Sequence, residues 1–197
     1  FEIMTNLISE ISPKCVGFSV YNSSFDCSIL LASMIAKKNK DIKIIFGGPH
    51  VSQNLAGEWA LERCPDIDLI VEGEGEETLV ELLTKIKNNR PFFDTLGTFY
   101  RDKETKKLIV NPGRASIRKL DELPYCDYSF CDFSNYTEGF KLPIMSSRGC
   151  PNKCIYCTEM VYWKTYRSFS AERIYSEIVY QFKKYPHLNF VDFQDSL

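Results

Sequence analysis

The first ninety residues alternate between two hydrophobic periods, and that alternation restricts what this chain can fold into more than any other feature. "FEIMTNLISEI" (1–11) places Phe1, Met4, Leu7, Ile8 and Ile11 at helical spacing, and "CVGFSV" (15–20) follows as a short apolar run. "FDCSILLASMIAKKN" (25–39) is helical again, "IKIIFGG" (42–48) is a second strand, and "SQNLAGEWALERC" (52–64) is helical despite Gly57. "IDLIVEGEGE" (67–76) is a third strand, and "EETLVELLTKIKNN" (76–89) is an amphipathic helix. Strands apolar on both faces must be covered on both faces, which a parallel sheet wrapped by helices achieves. The predicted class is α/β, with a Rossmann-like or flavodoxin-like parallel sheet over residues 1–90.

The texture changes at Pro91. "LGTFYRD" and "KLIVNP" flank the polar "KETKK", a hairpin pattern, and "LDELPYCDYSFCDFSNYTEGF" (120–140) has aromatics, prolines and aspartates without a period. Residues 91–141 therefore read as a linker containing a β-hairpin. "LPIMSS" (142–147) is a new strand, "SAERIYSEIVYQFKKY" (170–185) a helix with Ser170 as N-cap, and "LNFVDFQ" (188–194) another strand. Residues 142–197 thus read as the opening of a second α/β domain.

Composition excludes several classes. A formal net charge of −2, with both signs interspersed, offers no basic field to a nucleic acid backbone. No apolar run reaches the roughly 18 to 20 residues of a membrane span, and residues 1–10 lack a signal-peptide pattern; a cytoplasmic protein is the expectation. With Phe1 inside a helical pattern and Leu197 directly after a strand, the sequence reads as an excised fragment. Five of the eight cysteines are scattered singly, which favours free thiols in a reducing compartment over disulfides.

The other three stand together in "SSRGCPNKCIYCTEM" (146–160). Cys150, Cys154 and Cys157 form Cys-x3-Cys-x2-Cys on a loop after a strand, with Gly149 and Pro151 bending the backbone around the first thiol. Three soft thiolates on one short loop can wrap a compact cluster, and a [4Fe-4S] cluster held by three protein ligands keeps one iron open. Zinc is the competing reading, but neither His50 nor His187 lies at finger spacing from these cysteines. "CPNKCIYC" resembles the cluster loop of the radical S-adenosylmethionine superfamily. The resemblance implies a (β/α) barrel whose first strand precedes the loop, truncated here. It also implies S-adenosylmethionine chelated at the open iron, one-electron cleavage to a 5'-deoxyadenosyl radical, and Tyr156 near the adenine. Arg148 would balance cluster charge.

The three N-terminal strand ends read "FSVYNSS", "FGGPH" and "VEGEGE", and in open parallel sheets ligands sit beyond the carboxyl ends of the strands. Taken singly, such glycines are more often tight connections. Together with "DLIVEGEGEETLVELL" they resemble the cobalamin-binding domain that precedes the barrel in many radical S-adenosylmethionine enzymes. The resemblance implies cofactor contacts from Ser19, Tyr21, Asn22, Gly47, Gly48, His50, Glu72, Gly73 and Glu74. Tyr21 departs from the leucine common in the wider fold. The histidine loop of that fold would lie upstream of Phe1, and His50 reads as a hydrogen-bonding or capping residue rather than a cobalt ligand. Glu76 offsets the positive end of the following helix. Asp192 and Asp195, in "DFQDSL", resemble a family strand end that faces S-adenosylmethionine or substrate; a solvated pair is the alternative. Cys126 and Cys131 read as ordinary thiols.

The whole chain resembles a fragment of a cobalamin-dependent radical S-adenosylmethionine enzyme, close in texture to anaerobic magnesium-protoporphyrin monomethyl ester cyclases. That implies oxidative cyclisation or methylation at an unreactive carbon of a small-molecule substrate, a tetrapyrrole if the likeness extends so far. It also implies an electron donor such as flavodoxin or ferredoxin, and a fragment inactive by itself. The non-catalytic alternative is a flavodoxin-like ligand-binding module with a structural zinc loop. Methylthio transfer is disfavoured, since relatives of that kind carry a different N-terminal domain with its own cysteine triad.

Overall fold

The computed structural model describes residues 1–52, 55–133 and 141–196, in two compact units, Phe1–Ala115 and Ser116–Leu197. In the first unit the elements run α1 (Glu2–Ile11), β1 (Cys15–Ser19), α2 (Phe25–Lys38), β2 (Lys43–Gly47), α3 (Ala56–Arg63), β3 (Leu69–Val71), α4 (Glu76–Lys87), β4 (Thr98–Arg101) and β5 (Leu108–Val110). The sheet order is β1-β2-β3-β4-β5 among the described residues. β1, β2 and β3 are parallel, with Ser19 opposite Gly47 and Phe46 opposite Ile70.

Alternation along the strands divides the core. Ile44, Phe46 and Ile70 face one way and pack with Ile29, Ile35, Ala60 and Leu61 of α2 and α3. Ile45, Leu69 and Val71 face the other way, against Leu82 and Ile86 of α4 and Phe92. This is the period-2 geometry of a strand buried on both faces. Each fully buried side chain, Phe46 among them, contributes about 1.5–3 kcal/mol of transfer free energy.

The hairpin assigned by sequence to the linker is instead part of this sheet. β4 pairs antiparallel with β3, Ile70 opposite Phe99, and β5 pairs antiparallel with β4. Phe99 is buried in the same core as Ile70, so the hairpin extends the sheet past its parallel section. Gly57 explains itself in the same place: a Cβ there would lie 2.2 Å from Phe99 Cζ and 2.6 Å from Val51 O. The helix keeps a weak former because the hairpin's aromatic ring occupies the space of a side chain.

In the second unit, β6 (Lys141–Ile144) pairs in parallel with β9 (Phe190–Phe193), and α6 (Ala171–Lys184) lies between them in sequence. Leu142 and Ile144 pack with Ile174, Ile178, Phe182, Tyr185 and Leu188. Ser170 caps α6, its Oγ accepting the Arg173 N–H at 3.1 Å. The "LPIMSS" strand divides after Ile144: Ser147–Arg148 form β7, paired antiparallel with β8 (Arg167–Ser168), and the short helix α5 (Glu159–Trp163) lies within the loop so closed.

The connector's aromatics and aspartates have partners on α6. Gln181 Nε2 donates to Cys126 O at 2.6 Å, Lys184 Nζ to Asp127 Oδ1 at 2.9 Å, and Cys126 N to Glu177 Oε1 at 3.1 Å. The rest of the connector reading, at 134–140, and part of the helical reading at 52–64, at 53 and 54, lie outside the described residues. No helix among the described residues is long and apolar enough to cross a membrane.

Candidate functional site

The first site stands at the carboxyl ends of β1, β2 and β3. The chain leaves β1 through Ser19, and Val20 turns back across β2: its N–H donates to Gly47 O at 2.7 Å, and its carbonyl accepts the His50 N–H at 3.1 Å. Gly48 takes a left-handed φ of 97° there. A Cβ on Gly48 would meet Val20 N at 2.8 Å, Val20 O at 3.0 Å and Ser19 Oγ at 3.3 Å. Only glycine satisfies both the angle and the approach, so Gly48 is what lets the two strand ends come together. Ser19, Gly47 and Gly48 thus form one surface, with Ser19 exposed.

Ser52 ties the third strand end to the other two. Its Oγ donates to Gly48 O at 2.9 Å and accepts the Gly73 N–H at 3.0 Å. Glu72 is held by its own N–H, which donates to Gly97 O at 2.9 Å. Gly73 has φ 68° and nothing within 4 Å of a would-be Cβ, leaving its backbone open, while Glu74 follows half-buried. The sequence reading missed Ser52, whose only signal is a hydroxyl one turn beyond "GGPH".

Tyr21 and Asn22 open a short 3-10 turn in which Tyr21 N donates to Ser24 Oγ at 3.1 Å, and both side chains are exposed beside Ser19. His50 lies 4.8 Å from the Phe25 ring, and its Nε2 is enclosed without a hydrogen-bonding partner. An orphaned buried imidazole nitrogen, an exposed serine and an open glycine backbone at one sheet end fit a large polar cofactor laid across it.

The second site is the cysteine loop, and its base is rigid. Arg148 is buried with its guanidinium 5.2 Å from the Trp163 ring, a cation–π contact. Gly149 has φ 80°, and a Cβ there would lie 2.8 Å from Thr165 O and 3.3 Å from Trp163 Cβ. Arg167, opposite Arg148 in the β7–β8 ladder, donates to Trp163 O at 3.2 Å and Ile117 O at 2.6 Å. Two arginines thus stand at the entrance and exit of the loop, one over the Trp163 ring and one bonded to main-chain carbonyls.

The tip is open. Cys150 is half-buried, Cys154 and Cys157 are exposed, and all three are free thiols. Cys157 N donates to Cys154 O at 3.0 Å in a turn, and Asn152 Nδ2 lies 3.5 Å from Cys150 Sγ. Among the described residues no three His, Cys, Asp or Glu side chains converge on a metal-sized point. The thiols therefore line one loop without being gathered. Tyr156 stands 87% exposed between Ile155 and Cys157, available to a ligand rather than packed in the core. As a donor set, three soft sulfurs within one turn-rich loop fit an iron–sulfur cluster.

The two aspartates at the end of β9 part company. Asp192 is exposed and accepts from Gln194 Nε2 at 2.6 Å. Asp195 is not a solvated strand-end group, because its oxygens accept from both Ser146 and Ser147. Burial pushes its pKa up, but those hydrogen bonds outweigh it and hold the carboxyl below the usual range.

Comparison with known proteins bears on the first unit most directly. The family model described as "B12 binding domain" matches residues 2–83. An uncharacterized methyltransferase of Pyrococcus horikoshii is 31% identical over 181 residues, 90% of this chain and 39% of that protein. The anaerobic magnesium-protoporphyrin IX monomethyl ester cyclase of Rubrivivax gelatinosus is 25% identical over 194 residues, 90% of this chain and 34% of the cyclase. Among solved structures, the cobalamin-dependent S-adenosylmethionine radical enzyme OxsB, with aqua-cobalamin and S-adenosylmethionine bound, superposes with a TM-score of 0.78 at 21% identity, over 99% of this chain and 27% of OxsB. The chain thus spans between a third and two fifths of the length of these two curated relatives.

Proposed function

Because the chain belongs with the cobalamin-dependent radical S-adenosylmethionine enzymes, its B12 binding domain at residues 2–83, we propose that it carries two cofactor sites of one such enzyme. The end of β1–β3 holds cobalamin, and Cys150, Cys154 and Cys157 hold a [4Fe-4S] cluster that binds S-adenosylmethionine. One observation carries the reading: three free thiols share a single open loop whose base is fixed by β7–β8, directly after the first strand of a β-loop-α-β unit.

One-electron reductive cleavage of a sulfonium is the chemistry such a cluster supplies, and methyl or group transfer is the chemistry cobalamin supplies. The chain's own residues do the holding. Ser19, Tyr21 and Asn22 present polar groups at the sheet end, Gly73 gives close backbone approach, and His50 Nε2 offers an unused hydrogen bond to the cofactor's polar tail. Arg148 and Arg167 offset the negative charge of a thiolate-bound cluster. Tyr156 presents its ring for stacking on adenine. We further infer methylation or oxidative cyclisation of a small molecule in the whole protein, fed by a low-potential electron donor.

Anaerobic reconstitution with iron and sulfide tests the cluster. The wild-type chain is expected to develop broad visible absorbance and, when reduced, a cluster electron-paramagnetic-resonance signal, both lost in Cys154→Ala. Binding of zinc at one per chain, with no iron retained, would point instead to a structural metal loop on a ligand-binding module.

A further inference from the structure

We propose that Asp195 is the positioning residue of the cysteine loop, a role that rests on the cluster reading for its purpose but not for its geometry. Asp195 follows β9, and its carboxylate bridges to the two residues that lead from β6 into the loop. Asp195 Oδ1 accepts the N–H of Ser146 at 2.8 Å, the N–H of Ser147 at 2.8 Å and the hydroxyl of Ser147 at 3.1 Å, while Oδ2 accepts the hydroxyl of Ser146 at 2.5 Å. One carboxylate thus satisfies every donor of two consecutive residues.

That arrangement sets a register. β6 and β9 pair in parallel as far as Ile144 and Phe193, and the Gln194 N–H adds a bond to Ile144 O at 2.8 Å. Beyond Ile144 the chain leaves β6 to join β8, with Ser146 O accepting the Phe169 N–H at 3.0 Å and Ser147 opposite Ser168. The backbone therefore changes partner strand at Ser146–Ser147, where neither ladder satisfies both N–H groups. Asp195 fills that gap with charge-assisted bonds, about twice the strength of neutral ones. Three residues later comes Cys150, and between them Arg148 and Gly149 are immobilised by Trp163 and Thr165. A fixed Ser146–Ser147 pair therefore fixes where Cys150 begins.

The test compares Asp195→Ala, Asp195→Asn and wild type as full chains. Amide hydrogen exchange at residues 146–149 is expected to speed up by about tenfold or more in the alanine variant, with β1–β3 unchanged. The asparagine variant, which keeps an acceptor for the backbone N–H groups, is expected to retain most of the protection. After anaerobic reconstitution the alanine variant should retain less than half the wild-type iron, with a broadened signal from the reduced cluster, and asparagine should restore both. Wild-type exchange rates in Asp195→Ala overturn the proposal, as does full iron with an unchanged signal despite faster exchange. If the wild type itself loads no iron, the cluster reading fails. Asp195 is then judged by exchange alone: faster exchange in alanine with protection in asparagine supports the positioning role, and unchanged exchange removes it.

Discussion

At the residue scale, the glycines separate into those that shape a site and those that make room for packing. Gly48 and Gly149 adopt left-handed backbone and sit within contact distance of a neighbouring main chain, so each fixes the start of a loop at a candidate site. Gly57 needs no left-handed angle; its constraint is the Phe99 ring together with Val51 O, 2.2 and 2.6 Å from where a Cβ would stand. Gly57→Ala should therefore destabilise the chain by about 1–3 kcal/mol through overpacking, although alanine improves helix propensity by nearly 1 kcal/mol. Urea unfolding measures the balance, and a stabilised variant would show that α3 can move away from the hairpin. The sequence pattern revealed Gly57 only as an anomaly, because the ring that excludes a side chain lies 42 positions onward at Phe99.

At the scale of elements, α6 draws in the aperiodic segment before it through charge as well as packing. The Lys184 ammonium, with the N–H and hydroxyl of Ser129, holds the Asp127 carboxyl at about 2, below its unperturbed value of about 3.9. A depressed carboxyl stabilises the fold fully above its unfolded value, and that contribution disappears as the pH falls from about 4 to about 2. Lys184→Ala should move the Asp127 titration up towards about 3.9, read by carboxyl carbon NMR; an unmoved titration would mean that the Ser129 bonds suffice. Up to residue 89 the helices were legible by their period and the strands, three to five residues long, as short apolar runs between them. The hairpin was visible as a hairpin but not as sheet, since pairing of Phe99 with Ile70 joins residues with no local relation. Ser52, and the partners of Asp195 though not Asp195 itself, were hidden for the same reason: one hydroxyl and one carboxylate act on backbone groups 21 and 48 or 49 residues away.

At the scale of the whole molecule, two folding units each present the kind of site their topology favours. A parallel sheet gathers its loops at the carboxyl ends of its strands, and there Ser19, Gly48, Ser52 and Gly73 are joined by direct contacts. A β-loop-α-β unit leaves one long excursion after its first strand, and there the three thiols stand. The cysteine spacing could be read as a candidate ligand set from sequence because ligands of one cluster can be local, whereas the sheet-end surface needed three segments folded together to be seen as one. Elemental analysis of one gel-filtered sample, reconstituted without oxygen in iron and sulfide and then saturated with aquocobalamin, tests the account most directly. It predicts about four irons and one cobalt for each chain; a sample with zinc in place of iron, or with no cobalt retained, would contradict it.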